Sequence, residues 1–306
     1  MRKNIFLAAA LLFLSSFLLP AQPTVVIEKD SIINLGTQTD YFLDETAAVT
    51  VREILSPDYA AKFQRHRSGF FNFGITSARL WCRFMIENKL DKEVFLYVST
   101  PNLDTLALYR VEDTAAVLVG INSVYFPSER KEVKSEAFYF GLHPNNKPVT
   151  YLLKVVRFRA MQFALNAGTL KQYKEYESGF TMLNGIYFGF ILLMVLYNLF
   201  LFFSVREVSY FYYVLYMTAM GLINPDINGV GFLYLWPQFP QVNFYDDIMG
   251  GLTGVFGILF TVNFLQIKKF TPVLYKFFIA ILWLHLVNFV IILAGNNRLG
   301  FIIVEI

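Results

Sequence analysis

From Phe180 to Phe203 the chain carries no charged side chain. A helix of about 24 residues, rising about 1.5 Å each, reaches about 36 Å and clears a hydrocarbon layer of about 30 Å. In lipid a segment must satisfy its own backbone polar groups, so this run is expected to be a membrane-spanning helix. Arg206 and Glu207 end it. A second run, Tyr210 to Ile223, follows Ser209 and is too short to span alone, so the helix is expected to continue, kinked, past Pro225 toward Gly231 or Phe232. Further spans are expected from Ile248 to Leu265 and from Phe277 to Ala294. Leu299 opens a fifth apolar run in which the sequence stops at Ile306, which predicts a helical bundle truncated in its fifth helix.

The 306 residues are 56% apolar and only 16% charged, yet most charges precede residue 178. Two physical regimes therefore share the chain, and each is read by its own rules. At the start, Arg2 and Lys3 precede an apolar run from Ile5 to Leu19 that breaks at Pro20 and Ala21. A basic start, a short apolar core and a small residue at the exit predict a signal peptide over 1–21 rather than a retained anchor. The organisation expected is therefore a leader (1–21), an exported domain (22–175) and a membrane bundle (176–306), with Lys171 to Ser178 as a charged link. Export places the basic residues Arg206, Lys268, Lys269 and Lys276 inside and Arg298 outside, as the positive-inside rule requires. That rule and the leader predict a multi-pass membrane protein with its N-terminal domain exported.

The exported stretch shows period-2 patterning. In Leu80 to Glu87, one face holds Leu80, Cys82, Phe84 and Ile86, and the other holds Trp81, Arg83, Met85 and Glu87. Val94–Ser99, Leu106–Val111, Ala116–Val119, Ala137–Leu142, Val149–Val156 and Phe163–Leu170 read as further strands, divided by turn residues such as Pro101-Asn102 and Pro144-Asn145-Asn146. One short helix is expected over Val51 to Phe63. Many short strands with frequent turns predict an all-β, jelly-roll-like sandwich. Cys82 is the only cysteine and lies on the apolar face, so it is expected in the core, not in a bridge.

No catalytic or metal motif is present in the sequence. His66, His143 and His285 lack ligand spacing, and there is no nucleophile elbow, zincin motif or phosphate loop. Neither an enzyme nor a cofactor is expected, and a net charge of +3 without a basic stripe argues against nucleic acid. Mid-span acids are missing from the four runs, which disfavours a transporter. Asn198, Asn263, His285 and Asn288 are expected to bond between helices, and the Gly185/Gly189 and Gly250/Gly254 pairs to allow close helix packing. For ligand binding the candidates are Trp81, Arg83, Asn102, Asp104, Glu129 and Arg130. They combine an aromatic face with planar polar groups, the chemistry that suits a sugar. The alternative is structural: Trp81 packs beneath a loop, Arg83 pairs with Glu87 or a neighbour, and the loop residues cap their own turns.

The segments YNLFLFFSVREVSYFYYVLY (197–216) and NGVGFLYLWP (228–237) resemble the seven-transmembrane receptors with diverse intracellular signalling modules. The exported half is similar to that family's type-2 extracellular domain, through NFGITSARLWCRFMIEN (72–88), TPNLDTLALY (100–109) and YFPSERK (125–131). The resemblance implies a sensor, binding a carbohydrate or another small molecule, above seven helices in the lipid bilayer. It also implies a cytoplasmic signalling module or partner that is missing from this chain. The rival reading is a membrane-anchored carbohydrate-binding module without signalling output.

Overall fold

The computed structural model describes residues 22–294 apart from 102, 114, 158–159, 241 and 243–245. The expected leader, the fifth apolar run, Asn102 and Arg298 lie outside the described residues. In chain order the strands are β1 (Thr24–Ile27), β2 (Ile33–Asn34), β3 (Asp40–Asp44), β4 (Gln64–Arg65), β5 (Phe71–Ile75), β6 (Arg79–Asn88) and β7 (Val94–Val98). They continue with β8 (Thr105–Glu112), β9 (Ala115–Asn122), β10 (Phe138–Leu142), β11 (Asn145–Val156), β12 (Ala160–Phe163) and β13 (Leu165–Gly168). The larger sheet runs β4-β3-β6-β11-β8-β9, the smaller runs β10-β7-β13-β2, and β12 pairs with β5. Along one edge of β6, β3 pairs antiparallel with Arg79 to Arg83, and β1 then pairs parallel with Met85 to Asn88.

The alternation read from the sequence fixes which side of β6 faces the core. Leu80, Cys82, Phe84 and Ile86 join Leu106, Leu108, Leu153 and Val155 of the same sheet against Val94, Leu96, Val98, Phe138 and Phe140 of the other. Cys82 is a free, fully buried thiol, and burial pushes its pKa up. The strands β7 and β10 are buried on both faces, which is why their sequences read as continuous apolar runs. Their second face holds Phe95, Tyr97 and Tyr139, which are covered by Tyr173.

Two local expectations change. The helix expected over Val51 to Phe63 is two short ones, α1 (Val51–Ile54) and α2 (Pro57–Ala60). Pro57 holds Ser56 in an extended conformation, which stops the first helix. The turn expected at Pro144-Asn145-Asn146 gives way at Asn145, which pairs with Asn88 ahead of a register shift in β11.

The membrane half holds α3 (Leu170–Val205), α4 (Val208–Ile227), α5 (Asp246–Phe264), α6 (Ile267–Phe270) and α7 (Pro272–Leu293). Among the described residues, α3 and α7 are long and apolar enough to cross a membrane, and Ile248–Phe264 is a shorter apolar helix. The helix α4 runs through Pro225 to Ile227, and a π turn follows at Gly231–Leu235. The charged stretch expected as a link is the first two turns of α3. Its 36 residues extend about 54 Å, so the helix outreaches the bilayer and carries its charged turns to the sandwich. Asn198 and Asn263 bond back to Met194 O and Leu259 O of their own helices, not to neighbours as expected. Of the glycine pairs, Gly254 meets His285 of α7, where a Cβ would lie 2.5 Å from Nε2, whereas Gly185 and Gly189 face open space.

Candidate functional site

The five described residues among those singled out for binding do not converge on one site. Trp81 is fully buried on the outer face of the larger sheet, clustered with Val49 and Ile54 and with Leu152 of the neighbouring strand β11. The cover is held by α1, whose Thr50 and Glu53 cap each other reciprocally. That burial supports the packing alternative for Trp81. Arg83 pairs with Asp40 (Nη2 to Oδ2, 3.3 Å), not with Glu87, and lies over the Phe63 ring at 4.3 Å. Asp104 is buried and accepts a hydrogen bond from the Tyr125 hydroxyl at 2.6 Å, with Arg157 at 3.8 Å, so its role is internal. Glu129 and Arg130 are exposed on the 3-10 turn Ser128–Arg130, and Arg130 lies over Phe126. That turn touches the membrane half, where Ser128 N–H donates to Pro237 O at 3.2 Å.

A cleft of different composition opens at the β3–β4 edge. Tyr41, Gln64, Arg65, His66, Arg67 and Ser68 line it around about 610 Å³. Arg65 donates through Nε to Asp40 Oδ1 at 2.5 Å, so one carboxylate aligns both Arg65 and Arg83. The Tyr41 hydroxyl bonds Gln64 Oε1 at 3.4 Å, and His66 stacks on Phe71 with centroids 4.0 Å apart. Gly36 makes this edge possible: a Cβ there would fall 2.4 Å from Ser68 O. Reading by strands passed over these residues because they sit on a two-residue strand and its flanks. The compact run of Gln64, Arg65, His66 and Arg67 was the available signal.

The second concentration of chemistry lies where the sandwich meets α3. Tyr173 is fully buried, stacked on Tyr97 at 4.5 Å and edge-on to Tyr139 at 5.5 Å. One turn on, Glu177 accepts hydrogen bonds from Ser135 Oγ at 2.7 Å and from the Tyr139 hydroxyl at 2.8 Å. Burial, then the charge of Glu177, pushes the Tyr139 hydroxyl above its ordinary pKa. Lys131 clamps the loop beside it by donating to the carbonyls of Ser135 at 2.7 Å and Ala137 at 3.0 Å. Burial pulls its pKa down to about 7, against the opposing pull of Glu177 and Glu136. Beyond the clamp, Asn228 Nδ2 donates to Asn184 Oδ1 at 3.3 Å and links the turn after α4 to α3.

Comparison with protein families matches residues 36–169 to the model described as 7TMR-DISM extracellular 2 and residues 180–304 to the one described as 7TM diverse intracellular signalling. The chain belongs to the 7TMR-DISM family. Comparison with curated proteins gave no match. As a 7TMR-DISM protein the chain is a membrane receptor with a signalling role, and its N-terminal domain is extracellular. The two 7TMR-DISM matches leave residues 170–179 between them, and that interval holds Tyr173 and Glu177, the side chains that seat α3 on the sandwich.

Proposed function

We propose that this protein is a multi-pass receptor of a bacterial inner membrane whose exported, jelly-roll-like sandwich binds a carbohydrate. Binding shifts the seating of α3, and a seven-helix bundle passes the change to a cytoplasmic signalling module. The observation that carries this reading is the rigid seat: Tyr173 is buried in the sandwich while its own helix continues without a break into the uncharged span. A displacement of β7 or β10 is therefore transmitted to the membrane helix through packed rings. A ligand moves such an equilibrium only through unequal affinity for its two states.

The cleft at Tyr41, Arg65 and Gln64 supports the sugar assignment. It offers an aromatic ring, a guanidinium held in place by Asp40 and the Gln64 amide, and these groups read C–H surfaces and hydroxyls. Arg83 bears on the same site through Asp40. Calorimetric titration of the whole chain in nanodiscs against a glycan panel tests this. A binder whose affinity falls at least tenfold in Arg65→Met and Gln64→Ala, and stays unchanged in Glu129→Ala, is expected. The absence of any binder, or a binder indifferent to Arg65→Met and Gln64→Ala, would overturn the assignment.

A further inference from the structure

We propose that the cleft between the sandwich and α3 binds an organic ammonium group. The cleft encloses about 270 Å³ and draws its walls from four separate segments, the turn after α4 contributing Asn228. The strand end gives Tyr97 and Ser99, the clamped loop gives Glu136, and α3 gives Tyr176, Glu177 and Asn184. Two carboxylate residues, Glu136 and Glu177, thus line one cavity, and among the described residues no basic side chain lines it.

Among the described residues neither carboxylate is in an ion pair within 4.0 Å. Glu177 is oriented by two hydroxyls. Glu136 is half-buried, and none of the hydrogen bonds among the described residues uses its carboxylate. The nearest cation, Lys131, is engaged with the carbonyls of Ser135, Glu136 and Ala137 and lies over the Phe138 ring at 4.7 Å. With its pKa pulled down to about 7 by burial, Lys131 offsets only part of the charge of the two carboxylates. Half-buried charge of one sign in a place of reduced dielectric attracts a counter-charge strongly. The remaining walls are aromatic: Tyr97 is on the inner side, and Tyr176 and Phe180 are 5.3 Å apart with tilted rings. Rings beside carboxylates are the surroundings that retain ammonium and quaternary ammonium groups. The cavity suits a group of ethanolamine or choline size. It also lies beside the turns of α3 that immediately precede the uncharged span, the level at which lipid headgroups end. The ammonium therefore has two sources, a free amine or the headgroup of an aminolipid.

The test uses the whole chain in nanodiscs of phosphatidylglycerol alone, titrated calorimetrically with ethanolamine and with choline. Saturable binding is expected, weakened at least tenfold by Glu136→Gln and by Tyr176→Leu and unchanged by Glu175→Gln, a carboxylate on the outer face of the same helix. Repeating the titration in discs containing phosphatidylethanolamine separates the sources. Suppressed ethanolamine binding marks the lipid headgroup as occupant, and unchanged binding marks a free amine. No saturable binding of either probe in phosphatidylglycerol discs, or binding that Glu136→Gln and Tyr176→Leu leave intact, overturns the proposal. Glycan binding at the β3–β4 edge is scored separately, so either site can fail without the other.

Discussion

Replacing Trp81 by alanine tests whether the outer face of β6 is a ligand surface or a second core. The indole is fully buried among Val49, Ile54 and Leu152, so its loss opens a cavity that the capped turn of α1 cannot collapse into. Core aromatic truncations cost about 3–5 kcal/mol. One term works the other way: Trp81 Nε1 is buried without a hydrogen-bond partner, and removing such a donor returns about 1 kcal/mol or more. The expected loss therefore lies near about 3 kcal/mol. With a urea dependence of about 2 kcal/mol/M, the midpoint falls by about 1.5 M. Trp81→Phe keeps one ring and deletes the orphan N–H, and is expected to cost less than about 1.5 kcal/mol. Pulse proteolysis of the whole chain in nanodiscs reads the unfolding of the exported domain directly. A Trp81→Ala midpoint within about 0.5 M of the parent, together with lost glycan affinity, would refute the packing argument and return Trp81 to a binding role.

Three further outcomes are expected. Lys134→Cys should react with an impermeant maleimide on intact cells and Lys269→Cys should not, with Cys82 left in place because its thiol is buried; the reverse pattern would invert the topology. Gly36→Ala should destabilise the exported domain by about 1–3 kcal/mol, since its Cβ would meet backbone at Ser68, and an unchanged melting temperature would contradict that contact. Lys131 has a folded-state pKa pulled down to about 7 from 10.5, so the folded state holds fewer protons than the unfolded state between those values. Stability should therefore rise as pH goes from 7 to 9, and Lys131→Met should flatten that slope in urea midpoints measured at both pH values.

The parts legible in the sequence were those with a strict period or a uniform run. The alternation in β6 identifies its core face because successive side chains point to opposite sides, and the apolar stretches in α3 and α7 identify themselves by length. The strands β1, β2, β3 and β5 were missed because they are short, and Asn, Asp or Gly interrupts their patterning or its flanks. The start of α3 was missed because its charges suggest a link. The spacing of Tyr173, Glu177 and Phe180 is nevertheless helical, with Tyr173 and Glu177 turned to the sandwich and Lys171, Lys174 and Glu175 outward. For the candidate binding set the limit is a different one. Residue type reports what Trp81 and Asp104 can do chemically, but coverage by α1 and pairing with Tyr125 arise from distant segments. Arg83 was placed usefully because Asp40, its partner, sits on the adjacent strand.

A passive anchor and a receptor differ in one observable, the response of α3 to a ligand on the sandwich. Hydrogen exchange of the backbone across residues 169–180 measures it, on the whole chain in nanodiscs with and without a saturating glycan found by the panel. The seat formed by Tyr97, Tyr139 and Tyr173, with Glu177 holding Tyr139 and Ser135, predicts a change in protection in this segment and in β7 and β10, besides the change at the β3–β4 edge where the glycan binds. Exchange there that stays the same while the glycan is bound would contradict the relay and leave the chain a tethered binding module.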